Sequence, residues 1–173
     1  MLFLIGIGTG YRLQDLVGLL IADLKDAIED GYLEIQESKQ YNQWKAGLSR
    51  YPNRKRPNKR KVELGRSLTK IIKGYVRDKK RSEYAFPSRK GGHITQEYFS
   101  KVLKDIGKEL DLENISGHSL RKTYVTTIYE KTGNDIVKAK NAIGHKSIEE
   151  TRRYIGENDK DVRKATEIIE GII

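Results

Sequence analysis

The chain has 173 residues, and its 34 Lys and Arg against 24 Asp and Glu leave a formal net charge of +10 and a pI near 9.6. That length supports one domain with a real core, and the basic excess implies a polyanionic partner. The absence of cysteine excludes disulfides and thiolate metal sites and suits a reducing cytoplasm, while the opening M-L-F-L-I-G-I-G is too short to span a bilayer and lacks the basic start and cleavage site of a signal peptide, so no membrane partner is expected.

In chain order, Gly6, Gly8 and Gly10 approach a dinucleotide loop, but Tyr11 stands where G-x-G-x-x-G needs its last glycine and no strand precedes it. Leu13, Leu16, Val17 and Leu20 share one helical face. Tyr32 to Lys39 alternates like a half-buried strand, and Lys61 to Leu64 reads as its return strand, giving a hairpin with a long tip. Arg50, Arg54, Lys55, Arg56, Lys59, Arg60 and Lys61 form a basic strip without an acidic residue, suited to a phosphate backbone; the plain alternative is a solvated loop. Trp44, in the tip, either stacks on a sugar or packs locally.

Beyond the hairpin, Leu68, Ile71, Ile72, Tyr75 and Val76 make a second apolar stripe, and Phe99, Val102, Leu103, Ile106 and Leu110 a third, all expected in the core. Gly91 and Gly92 mark a loop, and Thr95 is an N-cap for the third stripe. His93 belongs to that loop, as a phosphate contact or as a surface residue. Asn134 and Asp135 start a helix that Gly144 ends, and Ser147 with Glu150 has the form of a capping box opening the short helix that carries Tyr154. The expected fold is mainly α with a small antiparallel β-sheet (α+β).

The chemistry concentrates at the C-terminal end. His118-Ser-Leu-Arg121, Gly144-His145 and Thr151-Arg-Arg-Tyr154 place two imidazoles, a guanidinium and a phenol in one helical segment, and Thr9-Gly-Tyr-Arg12-Leu-Gln-Asp15 supplies a second guanidinium. Attack on a phosphodiester creates extra negative charge on phosphorus-bound oxygens, which planar, permanently charged guanidinium forks are suited to hold. A side-chain oxygen that keeps the bond energy in a covalent intermediate completes the set, and Tyr154 is the candidate. A phenol with an ordinary pKa of about 10 ionises more readily beside cations and an imidazole.

These strings resemble the catalytic domain of the tyrosine recombinases of the phage-integrase type. T-G-Y-R-L-Q-D-L resembles that family's first arginine box, H-S-L-R-K-T-Y its H-x-x-R box, and G-H-K-S-I-E-E-T-R-R-Y its last box, with Tyr154 nine positions after His145. The resemblance implies that Tyr154 attacks the scissile phosphate of double-stranded DNA. It implies that Arg12, Arg121 and His118 bind the non-bridging oxygens, that His145 bonds the phosphate near the nucleophile, and that Asp15 orients the active-site side chains. A hairpin lysine protonates the leaving 5′-oxygen in such enzymes. Lys39 is the choice, with Lys45 and Lys55 as alternatives.

The resemblance further implies one catalytic domain over residues 1–173, with residues 1–8 ending a helix and a DNA-clamping domain missing before it. It implies a monomer alone and a homotetramer on paired DNA sites, in a bacterial or phage-encoded cytoplasmic protein. A tail over residues 156–173, polar to Lys160 and then apolar with Ile168, Ile169, Ile172 and Ile173, either folds back on its own domain or docks on a neighbouring protomer, and the resemblance favours docking. No metal or nucleotide cofactor is expected, since no pair among His93, His118 and His145 has ligand spacing. Two rival functions remain: relaxation of DNA in the manner of a type IB topoisomerase, and regulation by a DNA-binding module that does not cut. The intact Arg12, His118, Arg121, His145 and Tyr154 set argues against the second, since binding alone needs no phenol there.

Overall fold

The computed structural model describes residues 1–112 and 114–156; of the expected docking tail at residues 156–173, all but Gly156 lies outside them. The described residues fall into two compact units, the first Met1–Arg121 and the second beginning at Lys122.

In the first unit, α1 (Leu2–Thr9) ends at Gly10, whose φ of 63° is the left-handed conformation that glycine adopts without Cβ strain, and its N–H closes on the Gly6 carbonyl at 2.9 Å. The chain then turns through Tyr11 and Arg12 into the single turn α2 (Leu13–Leu16). The helical stripe expected to run through Leu20 is interrupted after Val17, and Leu20 becomes the extended residue before α3 (Ile21–Asp30), its N–H bonded to the Asp23 carboxylate at 2.7 Å. Helix α3 packs on β1 (Tyr32–Ile35) and on α5 (Arg66–Val76). Leu16, Ile21, Leu24, Leu33 and Ile72 are fully buried, and each such side chain contributes about 1.5–3 kcal/mol by leaving water.

The sheet has two antiparallel strands, β1 and β2 (Arg60–Glu63), with Leu33 opposite Val62 and Ile35 opposite Arg60. The first strand stops earlier than its alternation predicts. Ser38–Gly47 is a helix, α4, so Lys39 lies in a helical first turn instead of at a strand end. The hairpin tip therefore contains a helix followed by the basic loop. Its local packing is aromatic and cationic: Tyr41 and Trp44 ring centroids are 5.4 Å apart, the Trp44 indole N–H donates to the Arg54 carbonyl at 2.7 Å, and the Arg56 guanidinium lies 5.0 Å from the Tyr41 ring. Trp44 thus packs within the tip.

The loop before α6 (Gln96–Glu109) turns through Gly91 and Gly92, both at positive φ, and Thr95 caps the helix by accepting the Tyr98 N–H at 3.2 Å. Not all of the expected core stripes are buried. Ile72, Val76 and Leu103 are, whereas Ile71, Ile106 and Leu110 are exposed, because each lies at the solvent margin of a stripe wider than the face its helix buries.

Helix α7 (Gly117–Lys131) begins where no side chain fits: a Cβ on Gly117 would stand 2.6 Å from Leu13 Cδ2 and 2.8 Å from Ser100 Oγ. In the second unit, α8 (Ile136–Ile143) starts on Asp135, whose carboxylate accepts the Val137 and Lys138 N–H groups at 3.0 Å each, and ends at left-handed Gly144. The Lys138 N–H, with Lys138's ammonium and the Val137 N–H, holds the Asp135 carboxyl below its usual range. Helix α9 (Ile148–Ile155) starts on Ser147, whose hydroxyl accepts the Glu150 N–H at 3.2 Å. Val125, Ala139, Ile143 and Ile155 form the core of this unit, with Tyr129, Ile136 and Tyr154 packed against it. Among the described residues no helix is long and apolar enough to cross a membrane. Replacing Ser147 with Ala removes the cap under Tyr154 and is expected to cost about 1 kcal/mol, read as a lowered midpoint of chemical denaturation.

Candidate active site

The first unit gathers Arg12, His118 and Arg121 around one cavity of about 250 Å³, which Gln14, Glu97 and Ser100 also line. Local structure explains how. Tyr11 is buried, and its hydroxyl is shared between the carbonyls of Leu33, at 2.9 Å, and Arg60, one on each strand. That anchor fixes the turn so that Arg12 leaves it toward the hairpin. The Gly10 carbonyl accepts from Arg121 Nη1 at 2.5 Å, tying α7 to the same turn. His118, one helical turn before Arg121 on α7, is exposed.

Between the two guanidiniums sits a residue that sequence reasoning missed. Glu37 Oε1 accepts from Arg12 Nη1 at 2.7 Å and from Arg121 Nη1 at 3.2 Å, and its other oxygen takes the Gln40 amide at 3.2 Å. The Glu37 side chain is 1% exposed, as is Arg121, whereas Arg12 retains 18%. A charge this deeply buried persists only when paired, and the three arginines around it supply the pairing. The third is Arg60, whose Nε lies 3.9 Å from Glu37 Oε2.

Arg60 is therefore placed differently from the rest of the basic strip. It donates to the Thr9 carbonyl at 3.0 Å, its guanidinium lies 3.9 Å from the Tyr11 ring, and its side chain is 11% exposed. Its role as a DNA contact gives way to a place in the support of the Thr9–Arg12 turn. Arg50, Arg54, Lys55, Arg56, Lys59 and Lys61 are exposed. Lys59 and Lys61 flank Glu34 at 3.5 and 3.6 Å, and Lys61 also reaches the Tyr32 hydroxyl, which with Glu34 raises its pKa above the ordinary lysine value.

Asp15 is buried and acts through the backbone: its Oδ1 accepts the Ser38 N–H at 3.0 Å, fixing the residue beside Glu37. Lys39 is exposed in the first turn of α4, Lys45 lies in its last turn, and Lys55 lies in the loop that follows. His93 packs edge-on to Tyr84 with ring centroids 5.2 Å apart. Glu97 is the acid of the cavity lining. Its carboxyl is held below the usual range, first by the Gln96 amide and then by its own backbone N–H and Thr95.

The second unit carries the remaining pair. The His145 and Tyr154 ring centroids are 5.0 Å apart at an interplanar angle of 59°. Thr151 is fully buried and its hydroxyl donates to the Ser147 carbonyl at 3.4 Å, which leaves its lone pairs to accept from His145 Nδ1–H at 3.1 Å. Thr151 is thus the residue that orients the imidazole against the phenol. Among the described residues no group of three or more His, Asp or Glu side chains is arranged to hold a metal ion.

The family model of the Phage integrase family matches residues 1–161. The probable integrase/recombinase YoeC of Bacillus subtilis (strain 168) is 29% identical over 172 residues, covering 99% of this chain and 84% of that protein. The tyrosine recombinase XerD of Listeria monocytogenes serotype 4b (strain F2365) is 30% identical over 155 residues, which is 84% of this chain and 46% of XerD. Among solved structures, XerA recombinase superposes with a TM-score of 0.65 at 20% identity, over 93% of this chain and 52% of that one. A Tn1549 transposon integrase in complex with circular intermediate DNA superposes with a TM-score of 0.61 at 18% identity, over 88% of this chain and 53% of that one. The chain spans about half the length of XerD and of these solved chains. With a mostly helical fold, a two-stranded antiparallel sheet and a match running from Met1 past Tyr154, this chain belongs to the phage integrase family of tyrosine recombinases.

Proposed function

We propose that this chain is the catalytic part of a site-specific recombinase that cuts and rejoins double-stranded DNA through Tyr154, in the integration, excision or transposition of a mobile element. The observation that carries the reading is the pair of guanidiniums, Arg12 and Arg121, in the wall of a cavity that His118 also lines. Two fixed forks and an imidazole suit a phosphate whose charge rises in the transition state. The likeness to a probable integrase/recombinase supports recombination, and the likeness to a transposon integrase in complex with DNA supports DNA as partner and a mobile element as the setting.

In this reaction the Tyr154 oxygen bonds to phosphorus as the bond from phosphorus to the 5′-oxygen breaks, leaving a 3′-phosphotyrosine and a 5′-hydroxyl. The phenol passes its proton to the His145 imidazole packed against it, and a hairpin lysine, Lys39 or in its place Lys45 or Lys55, supplies the proton that the 5′-oxygen needs to leave. The covalent bond keeps the energy of the broken phosphodiester, so resealing needs no nucleotide. Paired DNA sites held by a homotetramer would supply the strand to be exchanged. The exposed arginines and lysines of the hairpin tip would follow the DNA backbone.

Two variants test the chemistry. Tyr154→Phe is expected to abolish covalent attachment to a nicked suicide duplex on a denaturing gel while leaving DNA binding intact; attachment at the parent's yield would refute the assignment. Arg121→Lys keeps the charge but loses the fork, and a drop in cleavage rate of about 10² or more is expected. For the tip, replacing Arg54, Lys55 and Arg56 together with Ala should reduce the slope of log affinity against log salt by about 0.9 per lost phosphate contact, measured by fluorescence anisotropy on a duplex.

A further inference from the structure

We infer that Glu37 is a positioning residue for cleavage: one buried carboxylate that sets the spacing of Arg12 and Arg121 and anchors the first turn of the helix carrying Lys39. The inference deepens the phosphotyrosine reading and rests on it for its catalytic consequence. A single oxygen, Glu37 Oε1, lies 2.7 Å from Arg12 Nη1 and 3.2 Å from Arg121 Nη1, which forces two like charges into one neighbourhood. Without an anion between them, guanidiniums at that separation repel, and a long flexible arginine relieves the strain by swinging away. With the carboxylate in place they are held together before any phosphate arrives, so the cost of bringing them together does not fall on the reaction.

An alternative is that Glu37 mimics the phosphate and must leave when DNA binds. Burial and placement argue against this. The carboxylate is 1% exposed, whereas Arg12 retains 18% and lines the cavity together with His118 and Arg121. Arg12 thus spans from the buried anion to the open space, and Glu37, lying between the two guanidiniums, is not among the residues that line the cavity. Glu37 is also fixed independently of them. It is the N-cap position of α4, its Oε2 takes the Gln40 amide at 3.2 Å, and the next residue, Ser38, is tied by its N–H to Asp15 at 3.0 Å. Lys39 follows directly. The same anchor therefore sets where the arginine pair points and where the helix bearing the candidate general acid begins.

Glu37→Ala, Glu37→Gln and the parent are compared by two readouts. The first is nitrogen-15 NMR of the arginine side chains, which needs no DNA. The parent is expected to show slowly rotating guanidiniums with separate Nη signals for Arg12 and Arg121, collapsed in Glu37→Ala and partly retained in Glu37→Gln, whose amide oxygen still accepts. The second readout is covalent attachment to a pool of nicked duplexes of randomised sequence, beside affinity for the same pool. Glu37→Ala should lose up to about 10²-fold in cleavage rate, the scale of a roughly 1 Å misplacement of reacting groups, with DNA affinity little changed and Glu37→Gln in between.

Unchanged Nη signals, or cleavage and affinity falling in proportion, would overturn the inference. If Glu37→Ala does not fold, the Glu37→Gln comparison decides by the same criteria. If the parent forms no Tyr154-dependent adduct, the phosphotyrosine reading fails by itself, and the Nη signals still decide whether Glu37 holds the arginine pair.

Discussion

The first unit depends on a carboxylate with nowhere else to go. Glu37 is sealed from water and faces Arg12, Arg60 and Arg121. Burying an ion costs several kcal/mol unless its partners return that energy through short, well-directed contacts. The contacts here are distributed. Arg121 also takes the Gly10 carbonyl, Arg60 takes the Thr9 carbonyl and lies on Tyr11, and Tyr11 bridges both strands. A single anion among three guanidiniums also leaves a positive surplus. Under the proposed reaction, whose transition state gains negative charge, that surplus is the useful part.

The parts of the fold that hydrogen-bond locally were legible in the sequence. Thr95, Asp135 and Ser147 all cap the helices their spacing predicts, and Gly144 ends one. These signals work because a short polar side chain and an orphan N–H two or three residues later need nothing from the rest of the chain. The apolar stripes located α5 and α6 but overstated their burial, since periodicity marks a face and cannot say how much of it a neighbour covers. Helix α4 was hidden because Tyr32 to Lys39 alternates over just enough positions to imitate a continuing strand. The chain leaves the strand where Glu37 turns inward.

The candidate site was legible in its positive charges and hidden in its negative one. Arg12, His118 and Arg121 stand in recognisable strings and line one cavity, and the His145 and Tyr154 rings pack as tilted neighbours. Glu37 belongs to no string, and Glu34, three residues earlier, looks the same in the sequence yet faces solvent among lysines. Arg60 was grouped with a basic strip because its neighbours are basic, although strand alternation from buried Val62 puts it on the inward face. Thr151 was read as a letter of a motif, and its function of holding the imidazole becomes visible only once α9 brings it over His145.

The central claim is that Tyr154 becomes covalently joined to DNA without a metal. The most direct measurement is mass spectrometry of the protein after incubation with nicked duplex in EDTA, nuclease digestion and proteolysis. The account predicts a nucleotide attached through a 3′-phosphate to the phenolic oxygen of Tyr154, with the cut strand ending in a free 5′-hydroxyl. A nucleotide on another side chain, or strands cut with no protein attached, would contradict it.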